Sequence, residues 1–440
     1  MPRKVAVSAN HGAETLLNDI VEPSGISGYD RSHRSNSDLL QWLATDTHIH
    51  EASTCLGEAE YRLLSPLARQ AALAKCDPDH RVLIIPGVMG SELGRPRGTP
   101  WPDDLLWIDP VDVSNGRLLE LAWPDASGTR ALGAIPYTYF ALKLRLDAAG
   151  FNTELYSYDW RSDIAAAGMA LADHIRTLGA RRVSIVAHSM GGLLVRAALR
   201  HRGMDIVERV VTLGTPHRGT LAAVQAIRAT YPTVRRLAAL DPRHSAEQLT
   251  ERVFHSFSSL YDLLPATGAL TDIDLFDVRR WPEHGPRPDR IALVAARSKA
   301  RRPPEPDARF FAIVGTGQRT AAALRHIDGD FEYEISSDGD GTVAVTSATL
   351  AADRTWYEVC EHSGLPRSER VAQAIAEILR SGTTALLAQQ ADISDAPHVR
   401  VSDAQLRGTY TEKVEWRALS AEERGRYLNQ LNLAPPLYRV

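Results

Sequence analysis

Cysteine is scarce in this chain: Cys55, Cys76 and Cys360 are the whole supply. An odd number of thiols at such wide spacing makes neither a disulfide framework nor a zinc site, and a reducing, cytoplasmic setting is the expectation. Long apolar runs are missing as well. No stretch approaches the ~18 apolar residues of a membrane span, and the opening MPRKVAVSANHGAETLLND lacks the apolar core and small residues of a secretory leader. Lysine is rare, with five against 45 arginines. The 50 basic residues are outnumbered by 54 acidic ones, so a net charge of −4 gives no electrostatic ground for binding nucleic acid. Beside so much alanine, the arginine excess fits genomic base composition better than phosphate recognition.

What is present is an ordinary globular composition of 440 residues, 44% hydrophobic and 24% charged. Residues 1–56 read as polar and turn-rich. Residues 57–75 read as a helix interrupted at Pro66. Strands follow at 81–85 (RVLII), 153–158, 183–187 and 207–213, with helices at 164–178 and 190–201 between them. Such alternation predicts a mostly parallel sheet covered by helices on both faces. From His217 to Ala308 the alternation stops. Helical patterns at 220–240 and 245–264 precede a Pro- and Arg-rich stretch, which together read as an insertion. Strands resume at 309–314, 331–335 and 355–359, and a helix at 368–380 closes the pattern; one more helix is expected at 421–431.

The strongest local signal is VSIVAHSMGGLLVRAAL. An apolar strand meets a tight turn of small residues, with Ser189 at its apex, and an amphipathic helix follows. This is the context of a nucleophile elbow, although Ala187 stands where glycine is usual. The competing reading makes Ser189 a helix cap. A serine nucleophile needs a histidine base and a carboxylate to hold that base. In this strand–turn–helix context they follow the serine in the order acid, then histidine. His362 sits in a loop between a strand and a helix, as a base should. The acid lies in SSDGDGTV, where Asp338 and Asp340 compete; a calcium loop is the other use of such a sequence. Backbone N–H groups must meet the developing oxyanion. Met190, after the serine, supplies one, and Val88 in IIPGVMGS supplies the second, where Gly87 permits a tight turn.

Taken in order, PGVMGS (86–91), YDWR (158–161), AHSMGG (187–192), TLGTPHRGT (212–220), DGDGTV (338–343) and EHSGLP (361–366) resemble the lecithin:cholesterol acyltransferase family. That family includes lysosomal phospholipase A2 and many bacterial lipase-like members. The resemblance covers about residues 81–381. It implies an α/β-hydrolase fold with an inserted, mainly helical cap, acting on acyl esters of lipids without metal or organic cofactor. By motif it makes Ser189 the nucleophile, Asp340 rather than Asp338 the acid, His362 the base, and Val88 and Met190 the oxyanion donors. The implied organisation is an N-terminal extension (1–80), a hydrolase core (81–216 and 309–381), a cap (217–308) and a C-terminal extension (382–440).

Gly87, Met89, Trp107, Tyr158, Asp159 and His217 are pocket candidates. Asp159 and Arg161 read as a structural pair, and His188 as a packing residue turned from the nucleophile. His48 and His50 form an H-x-H, a weak metal signal. The lipid-binding relatives close a loop with a disulfide where this chain, at 92–125, has no cysteine but has Trp101, Leu105, Leu106, Trp107, Ile108 and Trp123. Two readings stand for that stretch: peripheral contact with a lipid membrane, or packing of the cap. For function, ester hydrolysis leads, transfer of the acyl group to an alcohol follows, and a non-enzymatic interaction module on a hydrolase scaffold is the reading from another class. Protein partners are not indicated.

Overall fold

The computed structural model describes residues 34–431, apart from 98–102, 125–127, 300–304, 393–397, 410–411, 421–422, 425–426 and 428–430. The expected helix at 421–431, Trp101 and the first 33 residues therefore fall wholly or largely outside the described residues.

The described residues begin with helices α1 (Asn36–Thr45), α2 (Ile49–Leu56) and α3 (Glu58–Leu73). Strands β1 (His80–Ile85), β2 (Ser91–Arg95), β3 (Asp104–Trp107) and β4 (Arg130–Ala134) precede α4 (Pro136–Ala148) and β5 (Asn152–Leu155). Then come α5 (Ile164–Thr177), β6 (Arg182–His188), α6 (Gly191–Ala198) and β7 (Val207–Leu213). Helices α7 (Leu221–Ile227), α8 (Pro232–Leu240), α9 (Ala246–Arg252), α10 (Ser258–Asp262) and α11 (Arg290–Lys299) follow. The chain continues through β8 (Phe310–Thr316), β9 (Thr320–Ile327), β10 (Asp330–Ser336), β11 (Thr355–Val359), α12 (Glu369–Ser381), β12 (Val399–Ser402) and α13 (Asp403–Gly408).

Six strands in the order β11-β8-β7-β6-β1-β5 form the central sheet, every neighbouring pair parallel. Each central strand reads as an unbroken apolar run because both of its faces are covered. In β1, Leu83 and Ile85 face α5 and α6, while Val82 and Ile84 face α4 and α12. This is the mostly parallel sheet covered by helices on both faces that the strand–helix alternation predicts, and it agrees with the α/β-hydrolase class that the motif resemblance implies. Helix α12 illustrates the local code. Ser368 caps its N-terminus by accepting from the Val371 N–H, Gly382 ends it at φ 79°, and Val371, Ile375, Ile378 and Leu379 lie buried along one stripe.

Several expectations need correction. Residues 36–56 are two helices, whose Leu39, Leu43 and Leu56 pack with α3 against Phe140 and Leu144 of α4. Helices this short hide their periodicity. Pro66 lies inside α3 without breaking it. The helix read at 220–240 is two, α7 and α8, parted by Ala229 at φ 58° and restarted at Pro232. The one read at 245–264 is likewise divided into α9 and α10. Strand β10 does not join the central sheet. It lies between β9 and β12 in an antiparallel sheet of its own, as its half-polar alternation DFEYEIS requires. Strand β9 was not foreseen.

Candidate active site

The central strands point the same way, so their C-terminal ends, at Ile85, His188, Leu213, Thr316 and Val359, share one edge of the sheet. In open parallel sheets, ligands gather at that edge. The loops after β1, β6 and β11 bring Val88, Ser189 and His362 there, and the loop after β10 of the small sheet adds Asp340.

Ser189 follows β6 at φ 55°, a left-handed conformation that a serine seldom adopts. Its amide donates to the Leu213 carbonyl at 2.8 Å, and its carbonyl accepts from Gly192 at 3.1 Å. The cap position of α6 is Met190, with no side-chain capping bond, so the Ser189 hydroxyl is not used as a helix cap. The turn is crowded. A methyl on Gly191 would come within 2.6 Å of the Pro86 oxygen, and one on Gly192 within 2.3 Å of Thr215 Oγ1. A methyl on Gly87 would stand 2.7 Å from Ser189 Cβ, so the loop after β1 and the elbow approach closely only because Gly87 lacks a side chain. Among the described residues, the N–H groups of Val88 and Met190 donate to no protein acceptor.

Of the two competing aspartates, Asp340 is brought to His362: its Oδ2 lies 2.6 Å from His362 Nδ1. Oδ1 accepts from the amides of Thr342 and Val343 at 3.0 and 2.7 Å. Both carboxylate oxygens thus have partners within the fold. Asp340 is only 2% exposed. The Asp338 carbonyl accepts from Val345 and its amide donates to Ser336. Asp340 also holds the main chain of His362, whose amide donates to its carbonyl at 2.8 Å. Methyl groups on Gly214 and Gly315 would lie 2.7 Å from Asp340 Oδ2 and 2.6 Å from its Cβ. The ends of β7 and β8 are therefore kept bare where the carboxylate sits. Among the described residues no hydrogen bond joins Ser189 Oγ to His362; such contacts are often long before substrate binds.

The other candidates divide. Tyr158 donates to the Pro86 carbonyl at 3.0 Å and Trp160 Nε1 to the Ser91 carbonyl at 3.0 Å, so the YDWR motif buttresses the loop after β1. Trp107 donates to the Met89 carbonyl at 3.0 Å and packs edge-on against Trp160. Met89 itself adopts φ 61°. Asp159 grips the fully buried Arg161 at 2.7 Å, and that guanidinium donates onward to the carbonyls of Leu121 and Thr129. His217 is turned toward Thr212 and Phe310. Burial, reinforced by Arg196 and Arg218, pushes its imidazole down to about 3. Leu105, Leu106 and Trp107 are 2–3% exposed and Trp123 lies under the Arg161 guanidinium. These four residues therefore pack against the body of the protein. His48 pairs with Glu51 at 3.4 Å and stacks near Trp42. Burial pushes the Cys360 thiol, two residues before His362, up to about 12, so it stays protonated. Among the described residues no helix is long and apolar enough to cross a membrane.

Sequence reasoning missed Tyr139. Its hydroxyl, on α4, accepts from the Gly87 amide at 3.0 Å and lies 2.9 Å from His188 Nδ1. His188 is packed, as expected, but it is also hydrogen-bonded.

A PGAP1-like alpha/beta domain model matches residues 127–258 of this chain. No curated protein matches it. The mature lipase BlEst2 of Bacillus licheniformis is similar in structure at 16% identity and a TM-score of 0.37, over 70% of this chain and 95% of its own. The Tle4–Tli4 complex is similar at 14% identity and a TM-score of 0.41, over 69% and 99%. An alpha/beta hydrolase fold protein from Chitinophaga pinensis is similar at 10% identity and a TM-score of 0.33, over 70% and 92%.

Proposed function

We propose that this chain is a serine hydrolase of carboxylic esters, with Ser189 as nucleophile, His362 as base and Asp340 as the carboxylate that orients it. The observation that carries the reading is the 2.6 Å contact of Asp340 Oδ2 with His362 Nδ1. It lies on the same sheet edge as a serine held at φ 55° with its hydroxyl unused by the helix. Because Asp340 accepts at Nδ1, that nitrogen carries the proton and Nε2 is free to take one from Ser189 Oγ. Attack on the acyl carbon moves charge onto the carbonyl oxygen, which the amides of Val88 and Met190 receive. His362 then gives its proton to the departing alkoxide, leaving an acyl-serine and an alcohol. Water, activated by the same imidazole, releases the acid. No metal or organic cofactor enters these steps.

The six ordered motifs favour acyl esters of lipids as the substrate class. Transfer of the acyl group to an alcohol is the second reading. Its support is burial, since Ser189 is 5% exposed and a closed site disfavours water as acceptor. The experiment is labelling with a fluorophosphonate, comparing wild type with Ser189→Ala. Labelling of wild type alone supports the reading; a folded wild type that takes no label, and turns over no ester, sinks it. Product analysis with and without added alcohol separates hydrolysis from transfer.

A further inference from the structure

Two buried polar side chains beside the site have no part in the reaction above. Tyr139 and His188 are 1% and 6% exposed, yet both are fully hydrogen-bonded. The Gly87 amide lies 3.0 Å from Tyr139 Oη, Tyr139 Oη lies 2.9 Å from His188 Nδ1, and His188 Nε2 lies 3.0 Å from the His362 carbonyl oxygen. The two ends fix the direction of the whole chain, because an amide only donates and a carbonyl only accepts. His188 Nε2 must carry a proton to serve His362. Nδ1 is then bare and accepts from the Tyr139 hydroxyl, whose oxygen in turn accepts from Gly87. One arrangement of hydrogens satisfies every atom.

We propose that Tyr139 and His188 are positioning residues: their hydrogen-bond chain ties the oxyanion loop to the main chain of His362 and so sets the spacing of donor and base across Ser189. For its catalytic consequence the inference rests on the serine-hydrolase reading; the arrangement of hydrogens does not. Geometry supports it at both ends. Gly87 is one residue before Val88, and the loop folds directly over the phenol, since a methyl on Gly90 would come within 2.6 Å of Tyr139 Oη. At the other end His362 is held through its amide and its Nδ1 by Asp340. Its carbonyl has His188 as partner, so the backbone is fixed from both sides. The chain also suits only a neutral His188. Its ring centroid is 4.7 Å from that of His362, and a second cation there would oppose the imidazolium formed in each turnover. Burial, together with the neighbouring His362 ring, holds His188 well below the usual histidine range.

The test combines turnover with imidazole nitrogen NMR. Turnover of a p-nitrophenyl ester is expressed per fluorophosphonate-titrated site for Tyr139→Phe, His188→Ala, His188→Gln and the double variant Tyr139→Phe/His188→Ala. Tyr139→Phe should lower kcat by about 10-fold or more with KM unchanged, as for an interaction realised in the transition state. His188→Gln, whose amide can still donate to the His362 carbonyl, should recover part of what His188→Ala loses. The double variant should fall no further than the worse single one, because both break one chain. Wild-type spectra should show His188 as the neutral Nε2–H tautomer. An Nδ1–H tautomer or an imidazolium would overturn the proposal, as would an unchanged kcat in Tyr139→Phe. Should Tyr139→Phe fail to fold, the comparison of His188→Gln with His188→Ala decides. A wild type that neither labels nor turns over would refute the ester reading, and the tautomer would still decide the hydrogen-bond chain.

Discussion

On the proposed reading Ser189, Asp340 and His362 act as a unit, so their removal should not be graded by distance or exposure. Ser189→Ala should lower kcat by about 10⁶-fold, the loss seen for a triad nucleophile in a well-studied hydrolase. Asp340→Asn should lower it by about 10⁴-fold through loss of the His362 tautomer, while Asp338→Asn should leave it within a few-fold. Steady-state kinetics on one ester decides all three, and a larger loss in Asp338→Asn would overturn the assignment of the acid. A second prediction concerns acid. His188 and His217 are buried neutral, with folded-state values below the ordinary histidine value, about 3 for His217. Unfolding at lower pH lets each take up a proton, so stability is complete above the unfolded value of ~6.5 and falls as pH drops from there toward 3. The slope approaches about 1.4 kcal/mol per pH unit for each histidine. Thermal melts from pH 7 to 4 should show it, and His217→Gln should flatten it.

At this scale the sequence was most legible where chemistry is local. Ser189 and His362 sit in short motifs whose turn geometry needs only neighbouring residues. Asp340 was separated from Asp338 by resemblance alone, since both flank the same glycine and only the fold shows which one meets His362. Tyr139 had no signal, because its partner His188 is 49 residues away in the chain and a tyrosine on a helix reads as core.

Elements deliver these residues by being bare where they converge. Gly87, Gly192, Gly214 and Gly315 each lack the Cβ that would strike the elbow, Thr215 or Asp340. Gly87→Ala should therefore push the loop after β1 off the elbow. It should cut kcat by about 10²-fold, the scale of losing one oxyanion donor, with only a small shift in melting temperature. Activity assays beside thermal melts test this, and equal losses in both would argue for general destabilisation instead. The central strands were readable because a strand buried on both faces is a short apolar run between turn residues. Helices α1 and α2 were not, since amphipathic stripes of about two to three turns are hard to distinguish from polar loop. The division of 220–240 into α7 and α8 depends on Ala229 adopting a left-handed backbone, which its side chain does not announce.

Across the whole molecule, the C-terminal segment is stitched to the helices that follow β7. Strand β12 completes the small sheet beside β10. Lys413 donates to the carbonyls of Ala238, Asp241 and His244, and Arg235 reaches the carbonyls of Arg407 and Thr409. Most consequential is the pair of Arg228 with Asp403 at 2.7 Å, both side chains fully buried. Asp403→Ala would leave that guanidinium buried without its counter-charge and should destabilise the fold by about 3–5 kcal/mol. Denaturant titration measures it, and a loss below 1 kcal/mol would show the charge is satisfied by the carbonyls of His284 and Pro286 alone.

That pair also sets a timetable for synthesis. Arg228 leaves the ribosome 175 residues ahead of Asp403, an interval of about 10–35 s at ordinary translation rates. During it, the residue that ends α7 carries a cation whose buried counter-charge has not yet been made. The sheet that bears Ser189 has its own partners sooner. The central sheet can settle first, and the later-made segment then closes the helices above it.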